Sequence, residues 1–464
     1  MTVHLDWDVE TDVLVIGAGG CGLVAAVAAH DAGAEVIIVE KERRPGGNTT
    51  LSTGSVPGAG TRFQREAGID DSPERMIEDL MRQSGPHDVP ELTRLLAYES
   101  ASLVEWLVDE VEVDLRLITD YRHVGHSVPR LHAPPSREGE DLVRDLVAAV
   151  NRRGIPLAVA NPVTELVTSD DGAVLGARVV TEGGEASLIR ARKVILAVNG
   201  FGGNRELLRK YCPEIADAPY FGHKGNTGEA IVWGEQLGAG FGNMGAYQGY
   251  AAVSYPYGTL LSWTTMEMGG VLVDRRGRRM GNETAGYSGF AKDVIRHGNL
   301  AYAIYDRKVH EYVAAHEELY RELVASGGVK EAATLEELAA IYGLDAAALR
   351  ETVEAYNAAA RGEREDEFGR RDFGLGPLEP PWKVCQVTAG LFHTQGGLLV
   401  DERARVLRRD GRAIPNLFAG GGAAAGISGR AGSHGYASGN GLLTALGLGR
   451  IAGRAAAEEI QREG

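Results

Sequence analysis

Cysteine is scarce in this chain: only three, Cys21, Cys212 and Cys385, occur in 464 residues. They stand too far apart for a CxxC redox pair, a CxxCH haem attachment or a zinc-ligand spacing, so no metal is expected and the thiols are expected to be reduced, as in a cytoplasm. Long apolar runs are missing too. None reaches the roughly 18 residues that span a bilayer. The first residues, "MTVHLDWDVETD", are acidic and have no apolar core, which is not the pattern of a secretory signal, and a cytoplasmic protein is expected. Basic residues are outnumbered, 48 Lys and Arg against 64 Asp and Glu, for a net charge of −16, so neither a nucleic-acid nor an anionic-membrane partner is expected. Glycine, in contrast, is plentiful. The 63 glycines are about twice the usual share and imply many tight turns or close approaches of backbone to a ligand. A composition of 44% hydrophobic and 24% charged residues is globular, and the length exceeds one ordinary core, so two or three domains are expected.

Close to the start, residues 13–16, "VLVI", read as a buried parallel strand. "GAGGCG" follows, with Gly17, Gly19 and Gly22 in G-x-G-x-x-G spacing. "LVAAVAAHDAG" reads as a helix ending at Gly33, and "VIIV" (36–39) as a second strand ending on Glu40. Each part has a task. Gly17 makes the tight turn, Gly19 admits a pyrophosphate to the backbone, Gly22 lets helix pack on strand, the helix N-terminus stabilises phosphate, and Glu40 accepts from a ribose hydroxyl. Glu40 also repels a 2′-phosphate. "EKERRPGGNTTLSTG" (40–54) favours FAD over a nicotinamide cofactor: after the ribose acid come Gly46 and Gly47, then small hydroxylated and amide side chains able to line a longer dinucleotide. "KVILAVNGFGGN" (193–204) and "IPNLFAGGG" (414–422) are further strands running into glycines, so the cofactor site is assembled from both ends of the chain.

Taken together, "DVLVIGAGGCGLVAA", "GGNTTLSTG", "GHSVPRLH", "ILAVNGFGGN", "NTGEAIVWGEQLGA", "RRGRRMGNE", "TLEELAAIYGLDAAALRETVEAYN", "FHTQGG" and "GNGLLTALGLGRIAG" resemble the flavoprotein family of fumarate reductases, succinate dehydrogenases and 3-ketosteroid dehydrogenases, over nearly the whole chain. The resemblance implies an α/β fold, with a split Rossmann-type FAD-binding domain (1–244 and 379–464) and an inserted α+β capping domain (245–378). It extends the flavin site to Gly20, Lys41, Asn48, Thr49, Ser52, Val163, Ala197, Asn199, Gly200 and Gly228. From the C-terminal part it adds His393, Gly421, Asn440, Leu442 and Leu443. Asn199 and Gly422 depart from the family's usual glycine and glutamate. The histidine that carries covalent flavin in one branch is absent from "NTTLSTG", so FAD is expected to be non-covalent. Within the cap, Thr334 and Glu337 form a capping box, Asp345 opens a second helix, and "RGEREDEFGRRDFGLGP" (361–377) reads as a return linker.

Reduction of a dianion such as fumarate needs arginine and histidine at the substrate, because an unpaired dianion is prohibitively expensive to desolvate. By resemblance, those positions fall here at or next to Tyr287, Tyr436, Phe392 and Tyr250. The pattern instead resembles 3-ketosteroid dehydrogenases. That implies Tyr287 as the proton-abstracting base, and Tyr436 with the backbone N–H of Gly439 or its neighbour on a ketone oxygen. Tyr250, Phe392 and Tyr121 are expected in the substrate pocket. The expected activity is FAD-dependent desaturation of a 3-ketosteroid or cyclohexanone-type ketone. The α-proton goes to the tyrosine and a hydride to flavin N5, with an external electron acceptor. The alternative is an enone or enoate reductase using reduced FAD, and a third reading is a flavin-binding subunit of a larger complex. A tyrosine of pKa near 10 is only about a thousandth ionised at neutral pH, a penalty of about 4 kcal/mol. Either a neighbour lowers that pKa or the enzyme prefers alkaline pH.

Overall fold

The computed structural model describes residues 6–119, 123–181 and 183–463; Tyr121 lies outside the described residues. The strand Val9–Ile16 runs parallel to Val36–Val39 on one side and to Ala186–Leu196 on the other. The sheet continues through Ala413–Ala419, also parallel, so strands from both ends of the chain are neighbours. A hairpin, Val163–Thr168 with Val174–Val180, joins antiparallel to the start of Ala186–Leu196. The helix Gly20–Asp31 has almost no polar face and is buried nearly all round, as a helix between a sheet and a second helix must be. That second helix is the C-terminal Asn440–Glu463. The two approach closely because glycine stands at the contact: a Cβ on Gly453 would lie 2.2 Å from the Ala25 carbonyl oxygen.

A second sheet joins Val271–Val273, Ala301–Asp306, Trp382–Thr394 and Gly245–Ser254 in that order, with Val329–Ala332 also paired to Trp382–Thr394. Trp382–Thr394 begins beside Ala301–Asp306 and ends beside Gly245–Ser254, so one long strand carries the middle of this sheet. Each sheet has its own hydrophobic core. Helix Leu335–Tyr342 starts at Thr334, whose side chain accepts from the Glu337 N–H. Glu337 in turn accepts from Ala333 N, one residue before the position a capping box requires. Asp345 caps Ala346–Ala360 through the N–H groups of Ala347 and Ala348.

The 361–377 segment, expected as a return linker, is mostly exposed, but two of its charged side chains are anchored to the cap. Arg370 is buried and the Asp366 side chain is covered, and with Arg279 and Glu283 they form a closed ionic cluster. Glu283 accepts from Arg279 at 2.7 Å, from Arg370 at 3.2 Å and from the Leu272 N–H at 3.2 Å. Arg370 also donates to the Met266 and Gly270 carbonyls, so the segment is tied to the turn that precedes Val271–Val273. A buried charge persists only with such complete pairing. Among the described residues, no helix is long and apolar enough to cross a membrane.

Candidate active site

A cavity of about 850 Å³ lies between the two sheets. Its floor carries the glycine turn. Gly17 has φ +105°, and a Cβ there would sit 2.5 Å from the Ala197 carbonyl oxygen. A Cβ on Gly22 would sit 1.8 Å from the Gly17 carbonyl oxygen. Gly19 is different: a Cβ there would meet nothing nearer than the Gly46 carbonyl oxygen at 3.6 Å, and as N-cap it brings no side-chain acceptor, the Gly20 N–H donating to Thr49 Oγ1 at 3.1 Å instead. Glu40 lines the same cavity and is held by two backbone donors, Ala18 N at 2.6 Å and Glu42 N at 2.8 Å. Its remaining lone pairs can accept hydroxyls. A helix N-terminus opened by glycine, a bare glycine approach and an oriented carboxylate fit a dinucleotide in both shape and charge.

Around this floor stand Gly20, Lys41, Gly46, Gly47, Asn48, Thr49 and Ser52, with Val163, Ala197, Asn199, His393, Gly421 and Leu442. Lys41 is ion-paired with Glu229, and Asn48 accepts from His223 N at 2.6 Å and Asn226 Nδ2 at 3.0 Å. Gly22, Gly200, Gly228, Asn440 and Leu443 are not on the cavity wall. Gly22 packs on Gly17, Gly228 caps helix Glu229–Leu237 in a left-handed conformation, and Leu443 is core. Asn440 is turned away, donating to Ser428 Oγ. Asn199 and Gly422 depend on each other. A Cβ on Gly422 would lie 2.1 Å from Asn199 Oδ1, so the asparagine occupies the space a side chain at 422 would need.

The opposite wall is aromatic. Tyr287 stacks on Tyr250 with centroids 5.0 Å apart and meets Tyr436 edge-on at 6.4 Å. Phe392 tilts against Tyr250 at 5.7 Å, and His393 meets Tyr436 at 5.5 Å. The expected site residues Tyr250, Tyr287, Phe392 and Tyr436 are therefore one cluster, although they come from four separate segments. Tyr250 is held in place rather than presented: its hydroxyl donates to the Leu261 carbonyl and accepts from Trp263 N.

Two groups were missed by sequence reasoning. Ser438 Oγ stands 3.2 Å from Tyr287 Oη. The backbone N–H at the Tyr436 hydroxyl belongs to Gly441, two residues beyond Gly439. Gly439 also lines the cavity, but its carbonyl accepts from Leu443 N and its left-handed φ of +81° serves the tight entry into the last helix. A hydroxyl two residues after a tyrosine in a glycine-rich loop was the one available signal for Ser438.

The rings themselves carry no charge, but the Glu267 carboxylate shares the cavity lining. Burial pushes Tyr287 up to about 12, with the hydroxyl of Ser438 and the amide of Gln248 pulling the other way and the Glu267 carboxylate adding to the rise. Burial likewise raises Tyr436 and Tyr250. It lowers His393 to about 4 and His123 to about 3, so these imidazoles are neutral at working pH. Neither group that eases ionisation of Tyr287 is a cation. Of the two possibilities raised by the sequence, a lowered pKa is not what the structure shows.

The family model described as FAD binding domain matches residues 12–442. The chain is 33% identical over 454 residues to the NADH:fumarate oxidoreductase of Klebsiella pneumoniae, covering 97% of this chain and 48% of that one, so it spans about half the length of that relative. It is 28% identical to the 4-oxocyclohex-2-ene-1-carboxylate 5-dehydrogenase of Sinomonas cyclohexanicum, covering 99% of this chain and 100% of the other. Among solved structures, the 3-ketosteroid-Δ4-(5α)-dehydrogenase of Rhodococcus jostii RHA1 in complex with 4-androstene-3,17-dione superposes with a TM-score of 0.81, at 29% identity and 98% coverage of both chains.

Proposed function

The chain belongs to the FAD binding domain family, and we propose that it is an FAD-dependent oxidoreductase that desaturates a neutral cyclic ketone next to its carbonyl. One observation carries the reading. Two hydroxyl-bearing pairs, Tyr287 with Ser438 and Tyr436 with the Gly441 N–H, stand on the aromatic wall facing the dinucleotide floor. FAD, held by Gly17–Gly20, Glu40, Asn48 and Thr49, supplies the two-electron acceptor. In this reading residues 1–244 and 379–464 carry the cofactor and 245–378 close over it.

The protein's own part is proton chemistry. Tyr436 Oη–H and the Gly441 N–H donate to the ketone oxygen, and one such donor is worth roughly 2.7–4 kcal/mol as enolate charge develops. Tyr287, as phenolate, takes the α-proton, and Ser438 Oγ–H and the Gln248 amide donate to that phenolate. A phenol of pKa about 12 is ionised to only about one part in 10⁵ at pH 7, a penalty of about 7 kcal/mol, so the reaction is expected to accelerate steeply with pH. Among the described residues, the ring cluster of Tyr250, Tyr287, Phe392 and Tyr436 contains no cation, which supports an uncharged substrate, because a dianion desolvated against it without counter-charges is costly. The ring ketone bound by the Rhodococcus structure supports the same substrate class, and the compound named for the Sinomonas relative supports its cyclic-ketone part while carrying a carboxylate besides.

The high pKa of Tyr287 favours a second reading in one respect, since a protonated phenol is ready to donate in enone reduction. Anaerobic mixing separates the two. Bleaching of the yellow enzyme by saturated cyclic ketones is the expected result. Reoxidation of photoreduced enzyme by enones, with no bleaching by any ketone, would establish reduction instead.

A further inference from the structure

A buried polar network reaches the aromatic wall from behind. Arg130 is 1% exposed and donates to Asp71 from Nε at 2.8 Å and Nη2 at 2.7 Å, and to Asp79 from Nη1 at 3.0 Å. Arg130 Nη1 also lies 3.1 Å from His126 Nδ1. A guanidinium can only donate, so His126 Nδ1 is the acceptor and its proton is on Nε2. That Nε2 lies 2.8 Å from the Ser438 carbonyl oxygen, which can only accept. Both partners therefore demand one tautomer, a neutral Nε2–H imidazole. Burial, with Arg130 second, lowers its pKa to about 4 and keeps it in that form.

The same short segment holds Ser438 a second time, through Ser438 N to the Val124 carbonyl at 2.9 Å. It also touches the other tyrosine-bearing element: a Cβ on Gly286 would lie 3.0 Å from Val124 Cγ1. Gly125, at φ +84°, admits Ala437, whose Cβ would stand 2.4 Å from a Cβ at 125. Val124–His126 thus bridges the start of the Tyr287 helix and the loop that carries Tyr436 and Ser438.

We propose that His126, oriented by Arg130 and its two aspartates, is a positioning residue that fixes the Ser438 peptide and so sets Ser438 Oγ against Tyr287 Oη. It touches neither cavity nor substrate. Its effect runs through the hydroxyl pair. This rests on the reading of Tyr287 as the proton-transferring group, in whichever direction the enzyme runs. A misplacement of about 1 Å in a reacting pair lowers turnover by about 10²-fold, so the loss here is expected at about 10–100-fold.

The test is a double-mutant cycle on the FAD-loaded enzyme, with cyclohexanone-type ketones, or with cyclohexenone and photoreduced enzyme. His126→Leu is expected to lower kcat by about 10–100-fold, with FAD content and KM changed less than about threefold. His126→Gln, which keeps an N–H donor near Nε2, is expected to recover most of that loss. In a Tyr287→Phe background, His126→Leu is expected to add almost nothing, because the group it positions is gone. Ser438→Ala, which leaves the Arg130 network untouched, is expected to reproduce the kcat loss if His126→Leu fails to fold. A full-size loss on top of Tyr287→Phe, or a Ser438→Ala enzyme with normal kcat, would overturn the positioning role alone. Wild-type enzyme inactive on both substrate classes would instead remove the reaction reading, and this role with it.

Discussion

Replacing Tyr287 with phenylalanine removes one oxygen atom from the centre of the aromatic wall. The ring keeps its stack on Tyr250 at 5.0 Å and its edge contact with Tyr436 at 6.4 Å, so packing is preserved. The lost bonds, to Ser438 Oγ at 3.2 Å and to the Gln248 amide, are neutral ones whose partners face the cavity, and folding stability is expected to change by about 1 kcal/mol. The rate is another matter. A positioned general base contributes about 10²–10⁴-fold, and dehydrogenation is expected to fall by that factor. The pH dependence follows from the raised pKa. Because the reactive form is the phenolate and its pKa is about 12, every unit between pH 6 and 10 raises the phenolate fraction about tenfold, without a plateau. Wild-type rates should climb along that line, and Tyr287→Phe should lose it, so the gap between them widens as pH rises. Enone reduction, which uses the protonated phenol, should be flat over the same range. Anaerobic stopped-flow bleaching of the flavin by excess ketone, at several pH values, measures both quantities. A phenylalanine enzyme with turnover within about threefold of wild type and the same slope would show that Tyr287 only packs.

Tyr436→Phe should lower kcat by about 10²–10³-fold with FAD content unchanged, as for a lost oxyanion donor; unchanged kcat would move the ketone oxygen elsewhere. Acid precipitation should leave the flavin in the supernatant, and a yellow pellet would show a covalent bond. Gly422→Ala, forced against Asn199 Oδ1, should weaken FAD binding in an equilibrium titration, and adding Asn199→Gly should restore it; additive losses would contradict the steric coupling. Arg370→Met should destabilise the protein by about 3–5 kcal/mol in urea unfolding, because Glu283 and two carbonyls lose a buried donor; a change below about 1 kcal/mol would mean the cluster is open to water.

The dinucleotide floor was legible in the sequence because its parts are contiguous. Strand, glycine turn, helix, strand and Glu40 follow one another within residues 9–40, and each depends on backbone geometry that only certain residues permit. The aromatic identities at 250, 287, 392 and 436 were equally visible, as were the helix caps at Thr334 and Asp345, since a cap is a contact between near neighbours. What the order of residues leaves open is which distant groups meet. Ser438 reaches Tyr287 across 151 positions and His126 across 312, through bonds that exist only once the glycine-rich loop is folded against both segments. The charged stretch 361–377 is mostly exposed, as its composition suggests; what composition could not show is that Arg279 and Glu283 draw the Asp366 and Arg370 side chains out of water. The pKa of Tyr287 belongs to this second class. A tyrosine alone titrates near 10, and it is the enclosing wall, by excluding water from the phenolate, that raises it to about 12.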